Sequence, residues 1–284
     1  MKNLSLILII VAMAGLNACG QSNPNLYSTQ VGDIKITLLS EGQGNGDTRI
    51  LINASEDILQ QYAPQGTFSI ATNAFLLQDE KEGGYVLFDA GYGRELGKNI
   101  ETLNVKSEEI KVICLTHMHG DHIGGLIKDD QAVFPNAKLF VAQKEYDYWN
   151  SGQNAGAKKV LDAYKNQLEI FEPIDLNNVK IGSASILPLK AYGHTPGHTA
   201  FLIHSNGKNL LVWGDLTHAM AVQMPHPEIA VTYDVNPKDA VEYRLNILEF
   251  VTKNKIPIAG MHIAYPGMGT VEKDGKGYKF KDLH

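Results

Sequence analysis

Short apolar runs alternate with helix-forming stretches along most of the chain. Runs rich in Val, Ile, Leu and Phe predict strands, and they cover Asp33–Leu39, Ser69–Leu77, Tyr85–Asp89, Lys111–Thr116, Lys138–Ala142, Ala184–Pro188, Ala200–Ile203 and Leu210–Trp213. Helical spacing predicts helices at Gly93–Leu103, Asp121–Leu126, Lys144–Trp149, Ala155–Gln167 and Pro237–Thr252. This alternation predicts a layered α/β domain.

Several of these apolar runs end directly before a loop that carries histidine or aspartate. Leu115-Thr116, Leu211–Trp213 and Ile256–Ile258 are ends of this kind. Loops gathered at one edge of a sheet commonly carry the side chains of an active site. We therefore expect a functional site at one sheet edge.

The first residues follow the pattern of a secretory leader. Lys2 precedes an apolar run from Leu4 to Leu16, which is too short to span a bilayer comfortably but suits a signal peptide. The run ends in a Leu-Asn-Ala-Cys sequence that resembles the lipobox of bacterial lipoproteins, in which the cysteine, here Cys19, is lipidated. We therefore expect a signal peptide over 1–18, a tether over 19–30 and a catalytic domain over 31–284. An ordinary cleaved signal with an unmodified Cys19 is the alternative.

A lipidated Cys19 would place the protein in the cell envelope, at the periplasm or outer membrane, with the lipid as its membrane anchor. The only other cysteine is Cys114, so no disulfide framework is expected. The chain has 25 Lys and Arg against 31 Asp and Glu, a net charge of −6. An acidic chain without a basic cluster lacks the surface that nucleic-acid binding requires, so no nucleic-acid partner is expected.

The densest group of candidate ligands is the hexapeptide His-Met-His-Gly-Asp-His that begins at His117. In extended backbone, His117 and His119 project to the same side and can reach one ion. Gly120 allows a tight turn, after which Asp121 and His122 open a helix and can point toward a second ion. Four ligand-type side chains in six residues indicate a metal site rather than structural histidines.

Three further candidates follow downstream, each one or two residues after a glycine. They are His194 in a Gly- and Pro-containing turn, Asp215 directly after an apolar run, and His262 after another. An aspartate can bridge two ions with its two oxygens, while neutral imidazoles complete each coordination sphere. The pattern predicts a centre with two divalent metal ions.

The order and spacing of these residues resemble the metallo-β-lactamase superfamily, whose motif HxHxDH is followed by distant His, Asp and His ligands. The resemblance implies an αββα sandwich, two mixed β-sheets flanked by helices with the site at one sheet edge. It also implies a first metal on His117, His119 and His194, a second on Asp121, His122 and His262, and Asp215 as the bridge. Asp89 matches a family position that supports the loops of the metal site. His198 is expected to support the loop of His194.

Within the superfamily, the chain is most similar to the exported branch that contains methyl parathion hydrolase and N-acyl homoserine lactonases. The matching segments are Leu115–His119, Phe134–Ala137, Lys144–Trp149, Ala221–Gln223, Pro266–Gly269 and Gly275–Tyr278. By this resemblance Trp149 is expected in the wall of the substrate pocket. His218 occupies the position of a tyrosine that contacts the substrate carbonyl in many lactonases, and we expect it to bind substrate and assist catalysis.

The resemblance implies hydrolysis of a small-molecule substrate. Two ions about 3.5–4 Å apart share a hydroxide and lower its pKa, and Asp121 or Asp215 can accept or deliver a proton. Zinc is the expected metal, with manganese, iron and cobalt as alternatives. The preferred reaction is opening of an N-acyl homoserine lactone, that is, quorum quenching. Hydrolysis of organophosphate triesters or aryl esters is the alternative, a non-catalytic metal-binding lipoprotein is a third reading, and a homodimer is left open.

Overall fold

A computed structural model describes residues 25–79, 84–183 and 185–283. Within these ranges the strands are β1 (Leu26–Val31), β2 (Ile34–Asp47), β3 (Leu51–Ile52), β4 (Thr67–Asp79), β5 (Tyr85–Phe88), β6 (Ile110–Cys114), β7 (Ile127–Lys128), β8 (Gln131–Ala132), β9 (Lys138–Ala142), β10 (Leu168–Phe171), β11 (Ile186–Lys190), β12 (Thr199–Ser205), β13 (Lys208–Val212), β14 (Ala230–Val231), β15 (Ile258–Ala259), β16 (Met268–Asp274) and β17 (Gly277–Asp282). The helices are α1 (Glu56–Tyr62), α2 (Leu96–Thr102), α3 (Gly120–Ile123), α4 (Gln143–Tyr148), α5 (Ala155–Ala163), α6 (Met220–Gln223) and α7 (Pro237–Asn254). No helix in the described ranges has both the length and the apolar character that crossing a membrane requires.

Two mixed sheets form the centre of the molecule. The first has the order β1-β2-β4-β5-β6-β9-β10, antiparallel from β1 to β5 and parallel from β5 to β10. The second has the order β11-β12-β13-β15-β16-β17, in which only β13 and β15 are parallel neighbours among the described strands. This topology confirms the predicted fold class.

Alternate residues of each strand face either the other sheet or the helices, as the period of two requires. Phe88 and Cys114 of the first sheet pack against Phe201 and Val212 of the second, and the Phe88 and Phe201 ring centroids are 5.5 Å apart. Leu87, which directly precedes Phe88, faces the opposite side of the sheet, in a second cluster with side chains of α2 and α5. The residues of α7 cover the outer face of the second sheet in the same way. The layers are therefore helix, sheet, sheet and helix.

The longest helix, α7, holds a loop of the site in place. It begins as predicted at Pro237, where the Asn236 side chain accepts a hydrogen bond from the Asp239 amide at 3.2 Å. Its Arg244 is buried and donates to three main-chain carbonyls, those of Leu216 (2.6 Å), Pro227 (3.0 Å) and Ile229 (2.7 Å). These bonds attach the loop that follows Asp215 to the helix.

The structure corrects the predicted start of the folded domain. Leu26–Val31 forms β1, paired antiparallel with β2 from Leu26↔Leu39 to Val31↔Ile34. Backbone pairing and burial of Val31 place this segment in the first sheet, so the predicted tether does not extend to residue 30. The predicted signal peptide and Cys19 lie outside the described residues.

Candidate metal centre

Four loops meet at one edge of the sandwich and carry all seven predicted ligands. The loop after β6 carries His117 to His122, and the turn before β12 carries His194. The loops after the parallel neighbours β13 and β15 carry Asp215 and His262, so both emerge at the same edge. Gly214, with a φ of 62°, precedes Asp215, and a Cβ there would lie 2.4 Å from His198 Nε2. Only glycine therefore allows these two loops to approach this closely.

The first group of candidate ligands is His117, His119, His194 and Asp215, whose ligand atoms all lie within 4.8 Å of one another. His119 Nδ1 is 2.9 Å from His117 Nε2 and 3.0 Å from His194 Nε2. Asp215 Oδ2 is 3.6 Å from His117 Nε2 and 3.3 Å from His194 Nε2. Three imidazole nitrogens and one carboxylate oxygen thus converge on one point.

The second group is Asp121, His122 and His262, again with Asp215 beside it. Asp121 Oδ2 is 3.7 Å from His122 Nε2 and 3.5 Å from His262 Nε2. Asp215 reaches these histidines with both oxygens, Oδ1 at 3.1 Å from His122 Nε2 and Oδ2 at 3.0 Å from His262 Nε2. Asp215 therefore lies between the two groups, as a bridging carboxylate does.

Two buried atoms at the junction of the two groups indicate that metal ions fit this site. His122 Nε2 and Asp215 Oδ1 lie 3.1 Å apart, yet neither has a hydrogen-bond partner among the residues that the structure describes. Leaving such atoms unpartnered in the interior is unfavourable by about 1–3 kcal/mol each, and a cation satisfies both. A set of nitrogen and carboxylate ligands around them suits zinc and other first-row divalent ions.

The ring nitrogens that face away from the centre are bonded to oxygen atoms. His122 Nδ1 is 2.6 Å from Asp89 Oδ2, His194 Nδ1 is 2.9 Å from Asp234 Oδ1, and His262 Nδ1 is 2.8 Å from the Ala71 carbonyl oxygen. Such partners fix the tautomer that leaves the other nitrogen free to bind a metal. The histidines are therefore oriented as metal ligands.

The electrostatics of the centre favour a cation. Burial lowers the pKa of His117 well below its usual range and that of His119 to about 4, so both imidazoles are neutral ligands at neutral pH. Burial also opposes charging of His122, but the carboxylates of Asp215 and Asp121 raise its pKa well above the ordinary value. The carboxylates that favour a proton on His122 equally favour a metal ion there.

Asp89 and His198 support the ligand loops. Asp89 is fully buried and accepts hydrogen bonds from the Thr116 amide (2.8 Å) and hydroxyl (2.7 Å) besides its bond with His122. His198 Nε2 accepts from the Asp215 amide at 2.9 Å, while its Nδ1 donates to the Ala191 carbonyl at 2.8 Å. His198 thus joins the His194 loop to the loop of Asp215.

His218 lies beside the bridging aspartate. Its Nε2 is 3.1 Å from Asp215 Oδ2, and its ring stacks on His262 at 4.9 Å between centroids. Gln223 Oε1 accepts from the His218 amide at 2.7 Å and holds the turn. Burial lowers the pKa of His218 to about 4, so the imidazole is neutral.

A cavity of 710 Å³ opens directly above the centre. Six predicted site residues line it, namely His119, Asp121, His194, Asp215, His218 and His262. Its walls include Ile70, Tyr92, Arg94 and Tyr233. Tyr92 and Tyr233 are 46% and 55% exposed, and the Arg94 guanidinium lies 4.6 Å from the Tyr92 ring centroid. The cavity therefore offers both aromatic surface and a cationic donor.

The structure corrects the predicted position of Trp149. Its side chain is 5% exposed, meets the His119 ring edge-on at 5.5 Å and donates its indole N–H to Glu145 Oε1. Trp149 is not among the described residues that line the cavity, whereas His119, against which it packs, is one of them. Trp149 supports a ligand and is not a pocket wall.

Several residues of the centre have no signal in the sequence. Asp234, which holds His194, lies 40 positions away from it, and Glu145, Arg94 and Tyr233 belong to no recognisable spacing. Glu41 is similar, since its carboxylate accepts from the Tyr92 amide at 2.6 Å and keeps that part of the cavity wall in place. Glu145, which is buried on the short helix α4, is detectable only once the packing of that helix is known.

Comparison with solved structures shows similarity over nearly the whole chain. The hydrolase AbOPH of the beta-lactamase superfamily is 28% identical, with a TM-score of 0.80, over 92% of this chain and 98% of that one. AidC, a dizinc quorum-quenching lactonase solved with a product N-acyl homoserine, is 22% identical with a TM-score of 0.78 over the same shares. Both have the fold described above.

Curated relatives match over shorter stretches. The uncharacterized protein YobT of Bacillus subtilis (strain 168) is 27% identical over half of this chain and 60% of its own length. Ribonuclease Z of Clostridium tetani (strain Massachusetts / E88) is 26% identical over 70% of this chain and 54% of its own length. The N-acyl homoserine lactonase AttM of Agrobacterium fabrum (strain C58 / ATCC 33970) is 26% identical over 43% of this chain and 46% of its own. The matches therefore span about half to three fifths of these relatives.

The family model of the metallo-beta-lactamase superfamily matches residues 70–255, about two thirds of the chain and most of the ligand set. With the two mixed sheets and the His and Asp groups at their edge, this match establishes that the chain belongs to the metallo-beta-lactamase superfamily.

Proposed function

We propose that this protein opens the ring of an N-acyl homoserine lactone at a centre of two divalent metal ions. The observation that carries the proposal is the full set of seven His and Asp ligands at the base of a 710 Å³ cavity. The similarity to AidC and AttM supports a lactone as substrate. Membership of the exported branch with methyl parathion hydrolase is part of the same proposal.

The ligands divide between the two ions. His117, His119 and His194 would hold the first, Asp121, His122 and His262 the second, and Asp215 both. When bound, such ions lower the pKa of water and polarise a carbonyl oxygen. Zinc is the metal we propose, because the set combines imidazole nitrogen with few carboxylates.

Asp121 is better placed than Asp215 to move a proton. The Asp121 side chain is 21% exposed and borders the cavity, whereas that of Asp215 is 2% exposed and lies against five imidazoles. Asp121 can therefore take the proton of the attacking water and deliver it to the ring oxygen, which becomes the hydroxyl group of the opened product. Asp215 serves as the bridge.

The walls of the cavity suit the rest of an acyl lactone. His218 borders the cavity and can share its Nε2 proton between Asp215 and a carbonyl or ring oxygen of the substrate. Ile70, Tyr92 and Tyr233 offer apolar surface for the acyl chain, a role that replaces the one expected of Trp149. Arg94 can donate to the amide oxygen of the substrate.

A substrate panel tests the proposal. The zinc-loaded protein is assayed in a pH-stat with acyl homoserine lactones of several chain lengths, methyl parathion, aryl esters and a β-lactam. We expect the highest kcat/KM with an acyl homoserine lactone. Faster hydrolysis of the triester or the aryl esters would favour the alternative activity on the same centre, and no lactone opening at all would end the lactonase proposal.

A further inference from the structure

Glu145 receives four hydrogen bonds although it is almost completely buried. It lies on α4 and is 1% exposed. Its Oε1 accepts from the Met118 amide at 2.9 Å and from the Trp149 indole N–H. Its Oε2 accepts from the Thr195 hydroxyl at 2.6 Å and from the Gly197 amide at 3.0 Å. Each carboxylate oxygen therefore serves two donors.

These donors belong to the two loops that carry the first group of ligands. Met118 lies between His117 and His119, and Thr195 directly follows His194. The loops are about 75 residues apart in the chain, and one carboxylate joins them. The approach is close, since a Cβ on Gly197 would lie 2.2 Å from the Glu145 amide nitrogen.

The bonding pattern selects a carboxyl group over an amide. Three of the four partners are N–H groups that can only donate, one or two on each oxygen, so both oxygens must accept. A glutamine would turn its NH₂ group toward at least one of these N–H groups in either orientation. No ion pair involves Glu145 in the ranges that the structure describes. Burying a carboxyl group without a counter-charge is unfavourable, so a role in stability alone does not explain its position there.

We propose that Glu145 is a positioning residue that sets the first metal site, by holding the loops of His117, His119 and His194 in register with each other. Trp149 completes the arrangement, because its indole bonds to Glu145 while its ring edge packs on His119. The inference rests on the metal centre of the proposed function and is independent of the substrate.

The test compares Glu145→Gln with Glu169→Gln by chelator titration of the zinc-loaded protein, counting ions per chain at each step. Glu169 has a side chain that is 45% exposed and pairs with Lys138 at 2.8 Å, and it serves as the matched control. Loss of a residue that orients metal ligands typically weakens metal binding about 10–100-fold. We expect Glu145→Gln to release one ion at a chelator concentration lower by about that factor, with the second ion retained as in the wild type and the control.

Thermal unfolding of the metal-free proteins separates this role from simple stability. If Glu145→Gln releases both ions at wild-type chelator concentrations, or weakens both equally while the metal-free protein loses stability, the proposal is overturned. Should this variant not fold, Thr195→Val decides, because it removes one donor and keeps the shape of the side chain. We expect it to weaken the same single ion by a smaller factor, and unchanged release of both ions would refute the proposal. Because no substrate is used, a failed lactone assay leaves this result intact.

Discussion

At the scale of single residues, the centre depends on histidines whose outer nitrogens are already bonded. Asp89, Asp234 and the Ala71 carbonyl each hold one imidazole before any metal binds. The ligand atoms therefore require little rearrangement when an ion enters, which favours tight binding. Asp215 is the exception, because both of its oxygens face the centre itself.

Replacing Asp215 by alanine should remove the bridge between the two groups. We expect turnover to fall by about three or more orders of magnitude, because ion spacing and activation of water both depend on that carboxylate. Metal content and kcat/KM are measured on the same preparation, with Asp162→Ala on the surface of α5 as control. Unchanged turnover with two bound ions would show that Asp215 does not bridge.

The acyl chain should contact Tyr233 and not Trp149. Apolar burial is worth about 0.8 kcal/mol per methylene, so Tyr233→Ala should flatten the preference for long acyl chains in kcat/KM. Trp149→Phe keeps an aromatic ring behind His119 and should leave that preference unchanged. The opposite result in the two variants would return Trp149 to the substrate pocket.

The sequence can predict a site residue when that residue belongs to a short motif of neighbouring positions. Four of the seven ligands lie within six residues, and each of the other three comes one or two residues after a glycine near the end of an apolar run, so all could be named in advance. Glu145 and Asp234 could not, because they meet the ligands only through contacts between distant segments. Trp149 was expected in the pocket wall for the same reason, because the direction in which its side chain packs depends on contacts with distant segments.

At the scale of elements, strand alternation predicted the central strands but missed those with weak apolar patterns. The strand β2 extends through Gly42 to Asp47, a stretch rich in glycine and asparagine that has little strand propensity of its own. Pairing with β4 over its whole length holds it extended, with an irregular register between Ser40 and Gly42. The irregular stretch lies at the cavity, whose wall includes Gly42 and Gln43.

Arg244 should be essential for keeping α7 attached to the loop behind Asp215. Arg244→Met would leave the buried carbonyls of Leu216 and Pro227 without this donor, while that of Ile229 would keep its bond from the Gln223 side chain. Since one unsatisfied buried group is unfavourable by about 1–3 kcal/mol, we expect the free energy of unfolding in urea to fall by about 2–4 kcal/mol. Lys253→Met, at an exposed position of the same helix, is the control. Equal stability of the two variants would contradict this role of Arg244.

At the scale of the whole molecule, the sandwich brings to one edge ligands that span residues 117 to 262. Neither sheet alone carries the centre, because His117 to His122 follow a strand of the first sheet while Asp215 and His262 follow strands of the second. The fold class and the edge were predictable from the order of the motifs. The extra strand β1 was not, because its six residues mix polar and apolar types without a clear alternation.

Lipidation of Cys19, which the sequence leads us to expect, gives a prediction that is separate from catalysis. We expect Cys19→Ser to move the protein from the membrane fraction to the soluble fraction, because acyl chains on Cys19 would be the anchor. Specific activity should stay the same, since every ligand lies beyond residue 116. Fractionation of expressing cells with mass spectrometry of the N-terminus checks this. A soluble wild type with a cleaved, unmodified N-terminus would refute lipidation.

We propose, above all, that this centre opens a lactone ring with two bound metal ions. The most direct measurement follows N-acyl homoserine lactone opening while zinc is removed by a chelator and then added back, with ions per chain counted throughout. We predict two ions per chain at full activity, loss of activity as they leave, and recovery on addition of zinc. Lactone opening that persists in metal-free protein, or that is absent with both ions bound, would contradict the claim.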